Sequence, residues 1–228
     1  MPQFAIDPPA FPTVPVAGSE KPFPVRRVYC IGRNYAAHAI EMGHDPDREP
    51  PFFFQKNPDN LDASGDFPYP EKTEDVHHEI EMVVVLKSGG RNIPIDQALD
   101  HVWGYGVGLD MTRRDLQDEA KKMGRPWEIA KAFERSAPVG PLHPVSEVGH
   151  PDAGLVQLTV NGGIRQSGDL NQMIWKVPEM ISYLSEYFEL AAGDLIMTGT
   201  PSGVGPVRPG DIIVAHVEGV DEVSFKVV

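Results

Sequence analysis

The segment from His78 to Leu86 sets the first limit on the fold, because it is an apolar run with two acidic residues at its start. Side chains of a β-strand alternate between its two faces, so Glu79 and Glu81 share one face and Ile80 lies on the other. Two like charges on one face repel each other unless a cation lies between them or one is protonated. Taken alone, the pair is also compatible with a solvated strand edge.

A second apolar strand, predicted over 103–111, carries Asp110 near its end. Glycines alternate along it at Gly104, Gly106 and Gly108, so one of its faces is bare and something is expected to pack closely there. Carboxylates from the two strands together would form a hard, oxygen-rich site for Mg²⁺ or Mn²⁺ rather than zinc. Glu79, Glu81 and Asp110 are therefore the predicted metal ligands.

The rest of the chain predicts many short strands and few helices. Residues 1–24 hold seven prolines, which favours an extended leader on the surface, and residues 25–228 form one predicted domain. Helices are expected near 35–42, 94–101, 112–123 (with Thr112 as its N-cap) and 178–188. This pattern indicates an α+β protein whose core is a β-roll or barrel.

Composition narrows the classes of function. A net charge of −13 argues against nucleic acid as a partner, because a phosphate backbone requires a basic surface. The sequence has no apolar run of membrane-spanning length, no signal-peptide pattern and one cysteine. A cytoplasmic protein without membrane or nucleic-acid partners is expected.

Several polar side chains are candidates for chemistry. His38 and Glu41 share a helix face, where a carboxylate can orient an imidazole that activates water, although a surface ion pair has the same spacing. Lys131 and Lys56 lie in apolar surroundings and are either electrophilic groups or ordinary snorkelling lysines.

Two further segments could contact a ligand. Arg114 and Gln117 are three residues apart on the helix that follows Asp110, and they could point back toward the carboxylates. The loop 198–205 is rich in glycine and hydroxyl groups, including Thr200. It lacks the lysine of a phosphate-binding loop but could hold a carboxylate.

These segments together resemble the fumarylacetoacetate hydrolase family. The resemblance runs from about Val25 to the C-terminus and rests on five stretches, which occur in the family's order and spacing: Ile31–His38, His78–Glu81, Leu109–Gln117, Gly124–Lys131 and Thr198–Gly205. It departs from the common pattern in two places. Arg33 stands where relatives often have lysine, and Asn57 separates Lys56 from Pro58.

The resemblance implies a mixed β-roll, usually a homodimer, with one Mg²⁺ or Mn²⁺ on the three carboxylates. It also implies His38 and Glu41 as the pair that activates water and Lys131 near the reacting carbonyl. Arg114 and Gln117 are implied contacts of a small 2,4-diketo acid substrate. The expected reaction is hydrolysis of its carbon–carbon bond, with fumarylpyruvate of the gentisate pathway as the expected substrate.

Other functions use the same residues. Acylpyruvate cleavage, oxaloacetate decarboxylation and isomerisation of a hydroxy-diene dioate all need a metal-held enolate, and a noncatalytic metal-binding protein needs only the carboxylates. The pair His38 and Glu41 favours hydrolysis. Because fumarylpyruvate is a dianion, one or both of Arg33 and Lys56 are predicted to contact its distal carboxylate.

Overall fold

The structure is a computed structural model that describes residues 4–36 and 50–228. Eighteen strands lie within these ranges. In chain order they are β1 (Thr13–Val16), β2 (Ser19–Pro24), β3 (Arg27–Gly32), β4 (Phe52–Lys56), β5 (Leu61–Asp62), β6 (Asp66–Phe67), β7 (Val76–His78), β8 (Ile80–Leu86), β9 (Val102–Leu109), β10 (Thr112–Arg113), β11 (Ala137–Pro138), β12 (His143–Pro144), β13 (Leu155–Val160), β14 (Gly163–Asp169), β15 (Asp194–Met197), β16 (Gly205–Pro206), β17 (Ile212–Val217) and β18 (Asp221–Val227).

The described helices are few and short. They are α1 (Arg114–Met123), α2 (Glu128–Lys131), α3 (Val145–Val148) and α4 (Val177–Tyr187), with 3₁₀ turns at Pro58–Asn60, Ile95–His101 and Leu170–Gln172. The predicted helices at 112–123 and 178–188 match α1 and α4 to within two residues, and the one near 94–101 is a 3₁₀ turn. Most of the helix predicted over 35–42 lies outside the described residues. None of the described helices is long and apolar enough to cross a membrane.

A six-stranded sheet in the order β12-β9-β8-β15-β3-β4 forms the centre of the molecule. Its strands are antiparallel except for the parallel pair β15 and β3. Strand β8 is buried along its whole length, which explains its nearly continuous apolar sequence. Its residues alternate between two apolar cores, with Met82 and Val84 in one and Val83 and Val85 in the other.

The larger core lies between this sheet, the helix α4 and a five-stranded sheet in the order β14-β13-β17-β18-β6. Buried residues of β13 and β17, such as Leu158 and Ala215, contribute to it from the second sheet. Mixed sheets with a few short helices confirm the predicted α+β class.

The bare face of β9 is covered by backbone, as the alternating glycines predict. A Cβ atom added to Gly104 would lie 2.2 Å from the carbonyl oxygen of His143, and one added to Gly106 would lie 2.9 Å from the side chain of Leu142. Only glycine lets the segment 138–143 approach this closely.

The proline-rich leader is extended, as expected, but its second half also pairs with itself. Strands β1 and β2 form an antiparallel hairpin. Val14 and Phe23 are buried in the smaller core, beside Val83 and Val85 of the central sheet. The leader therefore covers the central sheet instead of only lying on the surface.

Candidate active site

Glu79, Glu81 and Asp110 come together where β8 begins and β9 ends. The strands pair antiparallel with Ile80 opposite Leu109, so these ends are adjacent, and the Asp110 backbone N–H donates to the Glu79 carbonyl at 2.9 Å. Each of the three carboxylates offers an oxygen within 4.8 Å of the others, and all three residues are buried. The structure thus brings the three predicted metal ligands together.

Three cations surround the three carboxylates. Lys131 Nζ lies 2.9 Å from Glu79 Oε2 and 2.6 Å from Asp110 Oδ2, and Arg114 Nη2 donates to Glu79 Oε1. Lys56 Nζ lies 2.9 Å from Asp110 Oδ1. Opposite charges at these distances offset the cost of burying each ion.

Glu81 makes no ion pair among the described residues and accepts a hydrogen bond from the Gly199 backbone N–H at 2.7 Å. Burial raises the pKa of Glu81 well above its usual range, and the charges of Asp110 and Glu79 add to the effect. Burial alone would lower the pKa of Lys131, but the carboxylates of Asp110 and Glu79 raise it, so this side chain stays charged.

The cluster fits a hard divalent cation. All the donors are carboxylate oxygens, and Asp110 Oδ1 accepts no hydrogen bond of good geometry despite its ion pair with Lys56. Such donors suit Mg²⁺ or Mn²⁺. Three carboxylates and three cations already balance, so a bound divalent cation leaves an excess of positive charge that favours an anionic ligand.

Helix α1 turns one face toward the carboxylates. Arg114, Gln117 and Lys121 lie at positions i, i+3 and i+7, and all three line the same cavity as the carboxylates. Arg114 Nη1 donates to Gln117 Oε1 at 2.6 Å. The structure thus places the predicted residues Arg114 and Gln117 at the site and adds Lys121, which the same helical spacing identifies.

The predicted capping of α1 is wrong. Thr112 belongs to β10, and the N-cap residue is Arg113 without a side-chain cap. The Thr112 hydroxyl lies 3.3 Å from Glu79 Oε1 and 3.2 Å from the Asp110 carbonyl oxygen. It therefore braces the carboxylate cluster instead of starting the helix.

Lys131 and Lys56 have different positions. Lys131 lines the cavity. Lys56 does not, and its ammonium donates to the carbonyl oxygens of Met111 and Lys131 and, at 3.0 Å, to Ser136 Oγ. Every donor of its buried ammonium is used within the protein. Of the two residues predicted to meet the distal end of a substrate, Arg33 therefore lines the cavity and Lys56 lies behind it.

Aromatic side chains and two cations form another part of the cavity wall. Phe52 and Phe54 of β4 pack against Trp127 with ring centroids 5.1 and 5.8 Å apart. The Arg33 guanidinium lies 5.7 Å from the centre of the Phe52 ring, and Lys121 Nζ lies 5.6 Å from that of Trp127. Both cations are partly exposed, so they flank the more open part of the cavity.

The loop 198–205 forms a wall of the cavity through Thr200. The side chain of Asn34 donates to the Thr198 carbonyl at 2.8 Å and accepts from the Trp175 backbone N–H at 2.7 Å. Gly199 has φ +91°, and a Cβ atom there would lie 2.7 Å from Cβ of Asn34. Glycine at this position lets the loop reach Glu81. His38 and Glu41 lie outside the described residues.

This chain is similar to known proteins over nearly its whole length, including one whose crystal structure contains a divalent cation. Residues 27–228 match the family model described as fumarylacetoacetate (FAA) hydrolase C-terminal. The chain is 53% identical to a fumarylpyruvate hydrolase from Pseudomonas aeruginosa, crystallised with Mn²⁺ and pyruvate, with a TM-score of 0.97 over 99% of both chains.

Two relatives carry different activities. The chain is 42% identical to a mitochondrial oxaloacetate tautomerase from Arabidopsis thaliana, over 88% of this chain and 90% of the relative. It is 41% identical to a mitochondrial oxaloacetate decarboxylase from Dictyostelium discoideum, over 89% and 94%.

Proposed function

This enzyme belongs to the fumarylacetoacetate hydrolase family, and from that membership we propose that it hydrolyses fumarylpyruvate, a 2,4-diketo acid, to fumarate and pyruvate. The observation that carries the proposal is the distribution of positive charge in the cavity. Arg114 and Lys131 are buried beside the carboxylates, whereas Arg33 and Lys121 flank the more open part. A ligand with a carboxylate at each end matches this arrangement.

The likeness to the Pseudomonas aeruginosa enzyme supports the same substrate. The two chains are 53% identical, whereas the oxaloacetate relatives are 41–42% identical to this chain. That structure holds Mn²⁺ and pyruvate, and pyruvate is a product of the proposed reaction. Mn²⁺ or Mg²⁺ bound by Glu79, Glu81 and Asp110 supplies Lewis acidity at the 2-oxo acid end of the substrate.

Lys131 and Gln117 supply hydrogen-bond donors to the substrate in the proposed reaction. Lys131 uses two of its three N–H donors on Glu79 and Asp110, which leaves the third for an oxygen that becomes negative as the carbonyl is attacked. Gln117 accepts from Arg114 through its oxygen, so its amide N–H groups remain to donate to the substrate.

Water activation is assigned to the sequence candidates His38 and Glu41. Glu41 orients the imidazole, and His38 takes a proton from the water that attacks the C4 carbonyl. The C3–C4 bond then breaks, C4 becomes the carboxyl group of fumarate, and C3 takes a proton to become the methyl group of pyruvate.

A panel of purified acids tests the proposal. With Mn²⁺ or Mg²⁺, the enzyme should consume fumarylpyruvate, seen as loss of its enol absorbance, and release equal amounts of fumarate and pyruvate. Acetylpyruvate should be a poorer substrate. Absence of fumarate release under conditions in which oxaloacetate is consumed would reject the proposal.

Oxaloacetate tautomerisation or decarboxylation is the second candidate, favoured by the two relatives with those activities. Neither reaction requires an activated water, and oxaloacetate also carries two carboxylates. Comparing kcat/KM for oxaloacetate and fumarylpyruvate on the same preparation separates the two functions.

A homodimer is the proposed assembly, based on the family resemblance. Sedimentation equilibrium over a range of concentrations should give twice the chain mass of 25.1 kDa. A mass of one chain throughout the range would reject it.

A further inference from the structure

The hydroxyl group of Thr200 is held by a residue far away in the sequence. Thr200 lines the cavity and is nearly buried. Its Oγ1 lies 2.8 Å from Nε2 of Gln166, a fully buried residue of β14. A threonine hydroxyl can donate or accept and normally rotates to suit its partner, so the role of Gln166 decides which it does here.

The orientation of the Gln166 amide is fixed by backbone groups. Its Oε1 accepts from the Ile80 backbone N–H at 3.1 Å, and that group can only donate. Its Nε2 lies 2.8 Å from the Pro201 carbonyl oxygen, which can only accept. A flipped amide would place two acceptors together at Pro201 and two donors together at Ile80.

The neighbouring histidine strengthens this orientation. His78 Nδ1 lies 2.9 Å from the same Gln166 Oε1, so Nδ1 is the protonated nitrogen and donates to it. Gln166 Oε1 therefore accepts two hydrogen bonds, and both protons of Nε2 are directed to Thr200 and Pro201. The Thr200 oxygen must act as an acceptor in this contact.

The Thr200 proton is consequently free for another partner. Among the described residues no group accepts from it. We propose that Gln166 is a positioning residue that makes Thr200 a fixed hydrogen-bond donor to the carboxylate of a bound 2-oxo acid, an inference that rests on the proposed function for the ligand class. Without Gln166 the hydroxyl is free to rotate, so a bound anion must first fix one of its orientations at a cost in entropy.

Gln166 also links the two walls of the site. Its acceptor side is bonded to Ile80, which lies between Glu79 and Glu81, and its donor side is bonded to the loop that carries Thr200. Together with the hydrogen bond from the Gly199 N–H to Glu81, this side chain helps to set the distance between the carboxylate cluster and the donor hydroxyl. Pre-organisation of this kind lowers the entropy lost on binding.

Calorimetric titration of pyruvate into the Mn²⁺-loaded protein tests the proposal with four variants. Thr200→Val keeps the shape of the side chain and removes the hydroxyl, while Thr200→Ser keeps the hydroxyl. Gln166→Met removes the amide at nearly constant size, and the fourth variant combines Gln166→Met with Thr200→Val. Ser185→Ala is the control, because Ser185 is a fully buried residue of α4 whose hydroxyl accepts from the Ile93 N–H at 2.7 Å.

The two residues are expected to act as a unit. Thr200→Val should weaken pyruvate binding by roughly tenfold or more, the loss expected for a hydrogen bond to a charged group. Gln166→Met should weaken it by a smaller factor, because the hydroxyl remains and only its fixed orientation is lost. The double variant should bind no more weakly than Thr200→Val alone. Thr200→Ser should bind nearly as well as wild type, and the control should lose thermal stability without losing affinity for pyruvate.

Other results would overturn the inference. Losses that add in the double variant would mean that Gln166 and Thr200 act independently, and unchanged binding in Gln166→Met would mean that the hydroxyl needs no positioning. If Gln166→Met does not fold, Gln166→Glu replaces it, because a carboxylate draws the Thr200 proton away from the ligand and must also weaken binding. Failure of the wild-type protein to bind pyruvate would instead reject the proposed function and, with it, the ligand assigned here.

Discussion

Lys56 and Asp110 form an ion pair at 2.9 Å in which both side chains are almost completely buried. Asp110 lines the cavity and Lys56 does not, so the lysine supports the carboxylate from within the protein. Lys131 contacts the other oxygen of Asp110. The strand-end aspartate is thus held between two ammonium groups before any metal binds, which fixes its position for coordination.

Lys56→Met is expected to destabilise the metal-free protein and to affect all substrates alike. Removing one partner of a buried pair costs about 3–5 kcal/mol when the other charge is left alone. Because Lys131 still contacts Asp110 in this variant, the loss should lie below that range. Unfolding by urea measures this loss, with the exposed Lys226→Met as the control. Mn²⁺ should raise the melting temperature of Lys56→Met more than that of wild type. If Lys56→Met is instead as stable as wild type and loses activity only on fumarylpyruvate, Lys56 contacts the substrate.

Asp110→Ala is expected to lose most of the affinity for the divalent cation. The substitution removes one of three buried ligands and leaves Lys56 and Lys131 without their shared partner. Calorimetric titration of Mn²⁺ or Mg²⁺ measures the change. Asp118→Asn, which alters a carboxylate on α1 outside the cluster, is the control and should bind the ion as wild type does. Wild-type affinity for the cation in Asp110→Ala would show that these carboxylates are not the metal site.

Some of this site is predictable from sequence, because strands and helices have fixed periods. Alternation along a strand places Glu79 and Glu81 together, and helical spacing places Arg114 and Gln117 on one face. The same spacing extends to Lys121, which the sequence analysis did not include. Local periodicity is sufficient to place functional residues of one element on a common face.

Other features depend on contacts that no local pattern contains. Gln166 meets Ile80 across 86 positions of sequence, so its role follows only from how β14 packs near the start of β8. Phe52, Phe54 and Lys56 share one face of β4, but strand alternation gives the face and not the depth. The depth of Lys56, below the aromatic wall, is a result of tertiary packing.

His38→Ala is expected to abolish hydrolysis and to leave metal binding intact. A general base contributes roughly 10²–10⁴-fold to the rate, and His38 is not among the proposed ligands. Steady-state kinetics on fumarylpyruvate and calorimetry with Mn²⁺ measure the two properties. Oxaloacetate decarboxylation needs no activated water and should survive in the variant. Hydrolysis at the wild-type rate would exclude His38 as the base.

Asp115→Asn is expected to lower stability at neutral pH and to have little effect in strong acid. Asp115 accepts from the Thr73 hydroxyl at 2.6 Å and from the backbone N–H groups of Glu74 and Leu116. Burial opposes the shift, but these hydrogen bonds hold the pKa of Asp115 below its usual value of about 3.9. A carboxyl whose pKa is lowered by folding stabilises the fold fully at pH values above its unfolded-state pKa. This contribution is lost as the pH falls through the lower, folded-state pKa.

Urea unfolding of wild type and Asp115→Asn at several pH values between neutral and strongly acidic measures this dependence. The difference in the free energy of unfolding should be constant near neutrality and shrink at the acidic end. The exposed Asp152→Asn is the control and should show no such trend. A difference that grows toward acid would contradict the assigned role of the Asp115 hydrogen bonds.

Lys121→Met and Arg33→Met are expected to lower kcat/KM for fumarylpyruvate far more than for acetylpyruvate. Acetylpyruvate lacks the distal carboxylate, and both cations line the more open part of the cavity beside the aromatic wall. A charge-assisted hydrogen bond contributes about 1.5–3 kcal/mol, so kcat/KM for fumarylpyruvate should fall by roughly ten- to hundred-fold. Lys122 is an exposed neighbour on the same helix, so Lys122→Met is the matched control and should leave kcat/KM for both substrates unchanged. Equal losses on both substrates would place Lys121 and Arg33 at the shared 2-oxo acid end, and the preference for a dianionic substrate would need another source.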